Sequence, residues 1–160
     1  MDLILLRHGK ATATSVSGDF GRELTEKGLE QSSRAARLLM AADQLPHIVL
    51  TSPLIRARQT ADRFCALAGI PGPVIQGWLA CGMAPETALS ELAAFRDFKR
   101  VMIVGHQPDF SQLVCWTLGT GGGAIEIKKA SLTGLSISPP SRNATLRFLI
   151  PSKLADDPGE

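Results

Sequence analysis

The sequence lacks three features that would place it in a special class: a long apolar run, a paired cysteine motif and an excess of one charge sign. No apolar run approaches the roughly 18 residues of a membrane-spanning helix. The three cysteines, Cys65, Cys81 and Cys115, include no Cys-x-x-Cys pair, which argues against a disulfide framework and favours reduced, mostly buried thiols. With 17 basic and 15 acidic residues, the chain lacks the strongly basic balance of a nucleic-acid-binding protein.

What is present is typical of one globular domain. The 160 residues are 44% hydrophobic and 20% charged, which argues against disorder and suffices for a core. The opening residues Met1-Asp2-Leu3 do not resemble a secretory leader. We therefore expect a single domain over residues 1–152, a frayed tail over residues 153–160, a cytoplasmic location and no membrane or nucleic-acid partner.

Unbroken apolar runs alternating with amphipathic segments predict an α/β fold. The runs Asp2–Leu6, His47–Leu50 and Arg100–Val104 lack polar alternation, which predicts strands buried on both faces of a parallel sheet. The pattern predicts a three-layer α/β/α sandwich with antiparallel strands at the sheet edge. Helices are expected from Glu26 to about Ala42 with Thr25 as cap, from Pro53 with Ser52 as cap, at Pro85–Phe98 and at Pro108–Leu118, and further strands at 124–129, 131–138 and 144–150.

Each of the three central runs ends directly in a polar cluster. The clusters are Arg7-His8-Gly9, Ser52 through Arg58, and Gly105-His106-Gln107. Because the carboxyl ends of parallel strands meet at one sheet edge, where open α/β folds bind ligands, two histidines and at least two arginines should converge there. Helix N-termini attract anions, and the planar fork of arginine matches phosphate oxygens. The sequence therefore predicts a phosphate pocket at this edge.

The two histidines predict phosphoryl transfer. A neutral imidazole is a nucleophile toward phosphorus, and neighbouring arginines should lower its pKa and keep it neutral. The second histidine is expected to donate a hydrogen bond to the phosphoryl oxygens. The sequence has neither a Walker lysine motif nor a carboxylate cluster for magnesium. We therefore expect a metal-independent reaction through a phosphohistidine, with no cofactor.

Four segments resemble the histidine phosphatase superfamily: Leu6-Arg7-His8-Gly9, residues 22–28, residues 52–61, and residues 104–108. Their order and spacing are most similar to the SixA-type phosphohistidine phosphatase branch, which implies a phosphoglycerate mutase-like fold. Helical periodicity does not show whether Arg56 or Arg58 faces the phosphate pocket. The resemblance implies that it is Arg56. It implies that His8 is the phosphorylated nucleophile and that the phosphate pocket includes Arg7, Gly9, Arg56 and His106, with Asp19 and Arg22 as further pocket residues.

The resemblance to the family is weaker in the segment where relatives carry the general acid. Relatives often carry a carboxylate after the middle helix, whereas Trp78 and Ala84 stand at the corresponding positions here and Glu86 should begin the next helix. A missing acid hinders release of an alkoxide more than release of phosphohistidine, whose ring leaves as neutral imidazole when its other nitrogen is protonated. Asp19 is the alternative donor.

The leading hypothesis is hydrolysis of protein-borne phosphohistidine at an open site, since about fifty residues between Arg56 and His106 leave little room for a lid. Two alternatives stay open: a phosphomonoesterase for small sugar or nucleotide phosphates, and a non-catalytic phosphate- or phosphoprotein-binding module. His47 is expected to be structural, Trp78 to pack or to line the pocket rim, and Lys128-Lys129 to be a solvated strand end.

Overall fold

Strands and helices alternate along the chain in the computed structural model, which describes residues 1–155. Thr25 caps the first helix as predicted, because its hydroxyl accepts a hydrogen bond from the Gly28 N–H. Short 3₁₀ turns lie at Asp19–Gly21, Gly77–Leu79, Ala93–Phe95 and Ser152–Leu154. The main elements are β1 (Asp2–Arg7), α1 (Glu26–Ala41), β2 (Ile48–Thr51), α2 (Ile55–Ala68), β3 (Val74–Ile75), α3 (Pro85–Leu92), β4 (Arg100–Gly105), α4 (Asp109–Leu118), β5 (Leu132–Ile137) and β6 (Ala144–Ile150).

The strands of residues 1–155 form one six-stranded sheet in the order β3-β2-β4-β1-β5-β6. The neighbouring pairs β3–β2, β2–β4 and β4–β1 are all parallel. Strand β5 is antiparallel to β1, and β6 is antiparallel to β5. The predicted mostly parallel sheet with antiparallel strands at one edge is confirmed.

Helices cover both faces of the sheet, because side chains along β1 alternate between two apolar clusters. Leu3 and Leu5 pack with residues of α3 and α4, whereas Ile4 and Leu6 pack with residues of α1 and α2. These four side chains are at most 2% exposed, which explains why the run shows no polar alternation. The three-layer α/β/α sandwich is therefore confirmed. No helix within residues 1–155 has the length and apolar character needed to cross a membrane.

Two expectations near the site are wrong. Residues 124–129 do not form a strand, because the Ile127 carbonyl accepts a hydrogen bond from the Arg7 side chain rather than from a neighbouring strand. Helix α2 begins at Ile55 with Leu54 as its N-cap, so Ser52 is not its cap.

Smaller differences lie farther along the chain. Helix α3 ends at Leu92 and continues as a 3₁₀ turn to Phe95, short of the expected Phe98. The two exposed residues of β3 were not expected, because so short a strand carries no hydrophobic period. Lys153, expected in a frayed tail, lies in a 3₁₀ turn; the same expectation for residues 156–160 lies outside the described residues.

Candidate functional site

The polar clusters after β1, β2 and β4 lie side by side at one edge of the sheet. Backbone hydrogen bonds between neighbouring chain segments continue past the strand ends. The His8 N–H donates to the Gly105 carbonyl and the Ser52 N–H donates to the Val104 carbonyl, each at 3.0 Å. His106 follows β4 directly, and its ring centroid is 5.3 Å from that of His8. The convergence inferred from parallel strands is thus present in the structure.

The His8 ring is buried and carries one unprotonated nitrogen. Its Nδ1 lies 2.7 Å from the Gly9 carbonyl oxygen, and because a carbonyl only accepts, the ring proton sits on Nδ1 and Nε2 is unprotonated. The Arg56 Nε–H donates to this Nε2 at 3.3 Å. Burial, reinforced by the charges of His106, Arg56 and Arg7, lowers the pKa of His8 to about 3. The arginines lower this pKa as predicted, but loss of hydration is the larger cause.

Arg56 lies in the first turn of α2, and its side chain is 5% exposed. Its Nη1 donates to the Asp19 carbonyl at 2.9 Å, and its Nη2 donates to Asp19 Oδ2 at 3.2 Å and to Cys81 Sγ at 3.7 Å. Arg58, two residues along the same helix, is exposed. The structure therefore places Arg56, and not Arg58, against His8.

His106 is held by Ser52, the residue that the sequence pattern predicts as the cap of α2. The His106 Nε2 lies 2.7 Å from Ser52 Oγ, and the same Oγ accepts a hydrogen bond from the Leu54 N–H at 3.2 Å. Burial, with a contribution from Arg56, lowers the pKa of His106 to about 4. Its Nδ1 is buried and has no hydrogen-bond partner within residues 1–155. A hydroxyl at the carboxyl end of β2 was the available sequence signal for this contact.

Arg7 approaches the site from β1 and is anchored by the loop before β5. Its Nη1 donates to the Ile127 carbonyl at 2.8 Å. In the same loop, Lys129 is half-buried, and burial together with the charges of Arg7, Arg22 and Lys10 lowers the pKa of Lys129. Lys129 is therefore one of a group of cations beside the site, and not the solvated strand end that the sequence suggested.

Asp19 and Arg22 pair with each other, and Asp19 also reaches Arg56. Arg22 Nη1 lies 3.0 Å from Asp19 Oδ1, and its Nε donates to the Thr12 carbonyl at 2.6 Å. The hydrogen bond from Arg22, with the charge of Arg56, holds the pKa of the Asp19 carboxyl below its usual range. An ionised carboxylate is a poor proton donor, which disfavours Asp19 as the general acid.

The segment before α3 reaches the site through Cys81. Cys81 is an exposed residue, unlike the buried Cys65 and Cys115, but its Sγ contacts the Arg56 side chain and is partly buried. The next residue, Gly82, donates its N–H to Asp109 Oδ2 at 2.9 Å. Asp109 is 4% exposed, and burial raises the pKa of its carboxyl. Asp109 thus connects the start of α4 to the segment that contacts Arg56.

Gly9 is occupied in packing, although the resemblance placed it in the phosphate pocket. Its N–H donates to Thr60 Oγ1 at 3.1 Å, so that donor is already engaged. A Cβ on Gly9 would lie 2.6 Å from the Gly28 carbonyl oxygen of α1. The contact is with backbone, which cannot turn aside as a side chain can, so the position requires glycine.

We expect the Gly9→Ala variant to lower the free energy of unfolding by about 1–3 kcal/mol, as overpacking does. Urea unfolding followed by circular dichroism measures the change. Gly72→Ala is the matched control, because a Cβ there meets no atom within 4 Å. Equal stability of the two variants would contradict the packing argument.

The two buried histidines also predict a pH dependence of stability. In the unfolded chain both rings bind protons near pH 6.5, whereas in the folded protein the pKa values are about 3 for His8 and about 4 for His106. Unfolding therefore takes up protons below pH 6.5, and the free energy of unfolding falls as the pH drops toward 4.

We expect a loss on the order of a few kcal/mol between pH 7 and pH 4. Urea titrations at several pH values measure it. The loss should be smaller in His106→Gln than in the wild-type protein. Identical pH profiles for this variant and the wild type would refute the assignment to the site histidine.

A depression of about 360 Å³ lies at the opposite ends of the strands and includes Asp2, Arg100 and Arg147. Neither site histidine lines it, so it has no part in the chemistry considered above. Within residues 1–155, no group of three histidine, cysteine or acidic residues is close enough to hold a metal ion.

Comparisons with known proteins agree with this geometry. Residues 3–78 match the model of the histidine phosphatase superfamily (branch 1). An uncharacterized protein of Picosynechococcus is 33% identical over an alignment of 144 positions that covers 84% of each chain. The solved structure of the protein histidine phosphatase SixA complexed with tungstate has a TM-score of 0.87 at 22% identity and covers 96% of this chain and 98% of its own.

The α-ribazole phosphatase of Shigella flexneri has a similar fold, with a TM-score of 0.77 and 21% identity over 95% of this chain and 97% of its own. Structures this distant in sequence establish the fold. The family match, the extended relationship to the Picosynechococcus protein and the paired histidines at the strand ends establish the family. The chain belongs to the histidine phosphatase superfamily.

Proposed function

We propose that the protein hydrolyses phosphohistidine carried on another protein, through a phosphoryl group held transiently on His8. The observation that carries the proposal is the neutral, buried His8 ring, whose unprotonated Nε2 lies 3.3 Å from the guanidinium of Arg56. A nucleophile that is already deprotonated beside a fixed cation suits attack on a charged phosphoryl group.

In the first step, His8 Nε2 attacks phosphorus and the phosphorus–nitrogen bond of the substrate breaks. The substrate imidazole leaves with that electron pair, neutral if its other ring nitrogen carries a proton. Arg7 and Arg56 would bind the phosphoryl oxygens as charge spreads over them. In the second step, water attacks phosphorus, the bond to His8 breaks and phosphate is released.

His106 would donate a hydrogen bond to the same oxygens. Ser52 Oγ already accepts a hydrogen bond from Leu54, which leaves its own proton available for His106 Nε2 at 2.7 Å. The ring proton of His106 then sits on Nδ1, the atom that has no partner within residues 1–155. Ser52 is thus proposed to select the donating tautomer of His106.

The side chains near Arg56 suit a substrate whose leaving group needs no strong proton donor, and this favours phosphohistidine over an alkyl phosphate. Of the side chains near Arg56, Cys81 is a thiol whose pKa is raised by burial, and Asp19 is held ionised by Arg22. Neither suits protonation of a leaving alkoxide near neutral pH. Within residues 1–155 all four α-helices pack on the faces of the sheet, and the segments that contact Arg56 at the strand ends are the turn with Asp19 and the loop with Cys81. We expect a site bordered by such short segments to admit a side chain on another protein.

A comparison of substrates tests the proposal. A phosphohistidine-bearing carrier protein should be dephosphorylated with a higher kcat/KM than an aryl phosphate or a sugar phosphate. A higher kcat/KM for the sugar phosphate would favour the phosphomonoesterase alternative, which the likeness in fold to the α-ribazole phosphatase supports. Phosphate binding without turnover of any substrate would favour the non-catalytic module.

The Ser52→Ala variant should lower kcat on the preferred substrate about tenfold, because it leaves a buried ring nitrogen of His106 without its partner. Steady-state kinetics measures the effect, and a thermal melt verifies folding. Ser111→Ala is the control, since that hydroxyl bonds the Pro108 carbonyl close to His106 in the chain but not the ring itself. Unchanged kcat in Ser52→Ala would show that the tautomer of His106 does not depend on Ser52.

A further inference from the structure

A depression of about 320 Å³ is lined by Arg7 together with residues that have no contact with His8 or His106 described above. It is formed where the loop before β5, helix α1 and the chain after β6 meet. None of the comparisons or the steps described above gives it a role. Apart from Pro151, its lining consists of Arg7, Gln31, Lys128, Lys129, Ser152 and Lys153.

Within the described part of the chain, the side chains that line the depression carry positive charges with no negative charge among them. Four of these side chains are cations, and no aspartate or glutamate of residues 1–155 is among them. Two of them, Arg7 and Lys129, are close enough to repel each other, because burial and the charge of Arg7 lower the pKa of Lys129, as do the charges of Arg22 and Lys10 outside the lining. Like charges gathered in a concave surface produce a positive potential that attracts an anion.

Two of the lining residues also carry a buried polar atom that lacks a partner within residues 1–155. The Nε of Arg7 and the Oγ of Ser152 have no hydrogen-bond partner in the part of the chain that the structure describes. Ser152 is 7% exposed, so its hydroxyl has little access to bulk water. Buried polar groups are normally hydrogen-bonded, so Arg7 and Ser152 each retain an unused donor among the residues that line the depression.

We propose that this depression binds a second anionic group of the substrate, a carboxylate or a phosphate, while the phosphoryl group to be removed lies at His8. The inference rests on the proposed function, because it assigns both anions to one substrate. Arg7 connects the two positions: it directly precedes His8 in the chain and lines the depression, and its Nη1 is fixed on the Ile127 carbonyl. The preferred substrate is then one with a second negative charge near the phosphoryl group.

Two pairs of substrates test the inference and separate the possible sources of the anion. One pair is a phosphohistidine peptide with glutamates beside the phosphohistidine and the same peptide with glutamines. The other pair is a hexose bisphosphate and the corresponding hexose monophosphate. The second charge should lower KM in at least one pair. Preference within the peptide pair identifies a carboxylate, and preference within the hexose pair identifies a phosphate.

The variant to test is Lys128→Gln/Lys153→Gln, which keeps Arg7, Lys129 and the histidines. It should raise KM for the doubly charged substrate about tenfold, with kcat and the KM of the singly charged partner unchanged. Lys99→Gln/Arg147→Gln is the matched control, because it also removes two positive charges but from the depression at the opposite ends of the strands. The control variant should leave KM and kcat unchanged for all four substrates.

Equal KM values within both pairs, or the same response of both double variants, would overturn the inference. Calorimetric titration of hexose bisphosphate and monophosphate into the His8→Asn variant separates this failure from failure of the proposed function. Tighter binding of the bisphosphate that is lost in Lys128→Gln/Lys153→Gln supports the anion site even if the chain hydrolyses neither sugar phosphate nor phosphohistidine. Hydrolysis of phosphohistidine with no such preference supports the function alone.

Discussion

The His8→Asn variant is expected to lower kcat by about 10⁴-fold or more and to form no phosphoenzyme, as removal of a covalent nucleophile does. Asparagine is of similar size and can still hydrogen-bond, but its amide nitrogen has no lone pair available for attack on phosphorus. The unprotonated Nε2 of His8, fixed by the hydrogen bond between Nδ1 and Gly9, is the atom that is lost.

Rapid-quench experiments with a ³²P-labelled substrate measure both effects. Wild-type protein should carry acid-labile phosphate, as a phosphorus–nitrogen bond requires, and the variant should carry none. The control is His47→Asn, because His47 precedes β2 and bonds the Arg100 N–H at the far ends of the strands. Labelled phosphate on His8→Asn, or an unchanged kcat, would refute the proposed nucleophile.

The sequence predicts the middle of the sheet well for a physical reason. The runs that became β1, β2 and β4 are apolar on both faces, and a strand covered on both faces has few alternatives to a parallel sheet between helices. Once these strands are parallel, the residues that follow them must share an edge. His8 and His106 could therefore be brought together from the pattern alone, without any knowledge of contacts.

Contacts that depend on side-chain direction could not be predicted. Ser52 and His106 are 54 positions apart in the chain, and a hydroxyl that caps a helix is indistinguishable in sequence from one that meets a ring. Residues 124–129 contain isoleucines suited to a strand, yet the Arg7 guanidinium takes the Ile127 carbonyl. The basic group around Lys129 follows from that loop, and so no local signal indicated it.

Arg56 and Arg58 lie two residues apart on α2, but Arg56 faces His8 and Arg58 faces solvent. This difference predicts the second large effect on catalysis. The Arg56→Met variant should lower kcat/KM by about 10³-fold, the cost of removing a fixed charge that stabilises a transition state. Arg56→Lys should rescue little, because one ammonium cannot donate to the Asp19 carbonyl, Asp19 Oδ2 and His8 in the way that the guanidinium does. Arg58→Met, on the same helix but exposed, should be neutral.

A second measurement separates the charge of Arg56 from its contacts with the loop. Because Arg56 helps to lower the pKa values of His8 and His106, both should rise in Arg56→Met, and NMR titration of the ring protons detects this. Affinity for tungstate should fall as well, since the oxyanion loses a cationic partner. Weak catalysis with unchanged histidine pKa values and unchanged tungstate affinity would mean that Arg56 acts only by holding Asp19 and Cys81 in place, and the phosphate-binding role would then have to be assigned to Arg7 alone.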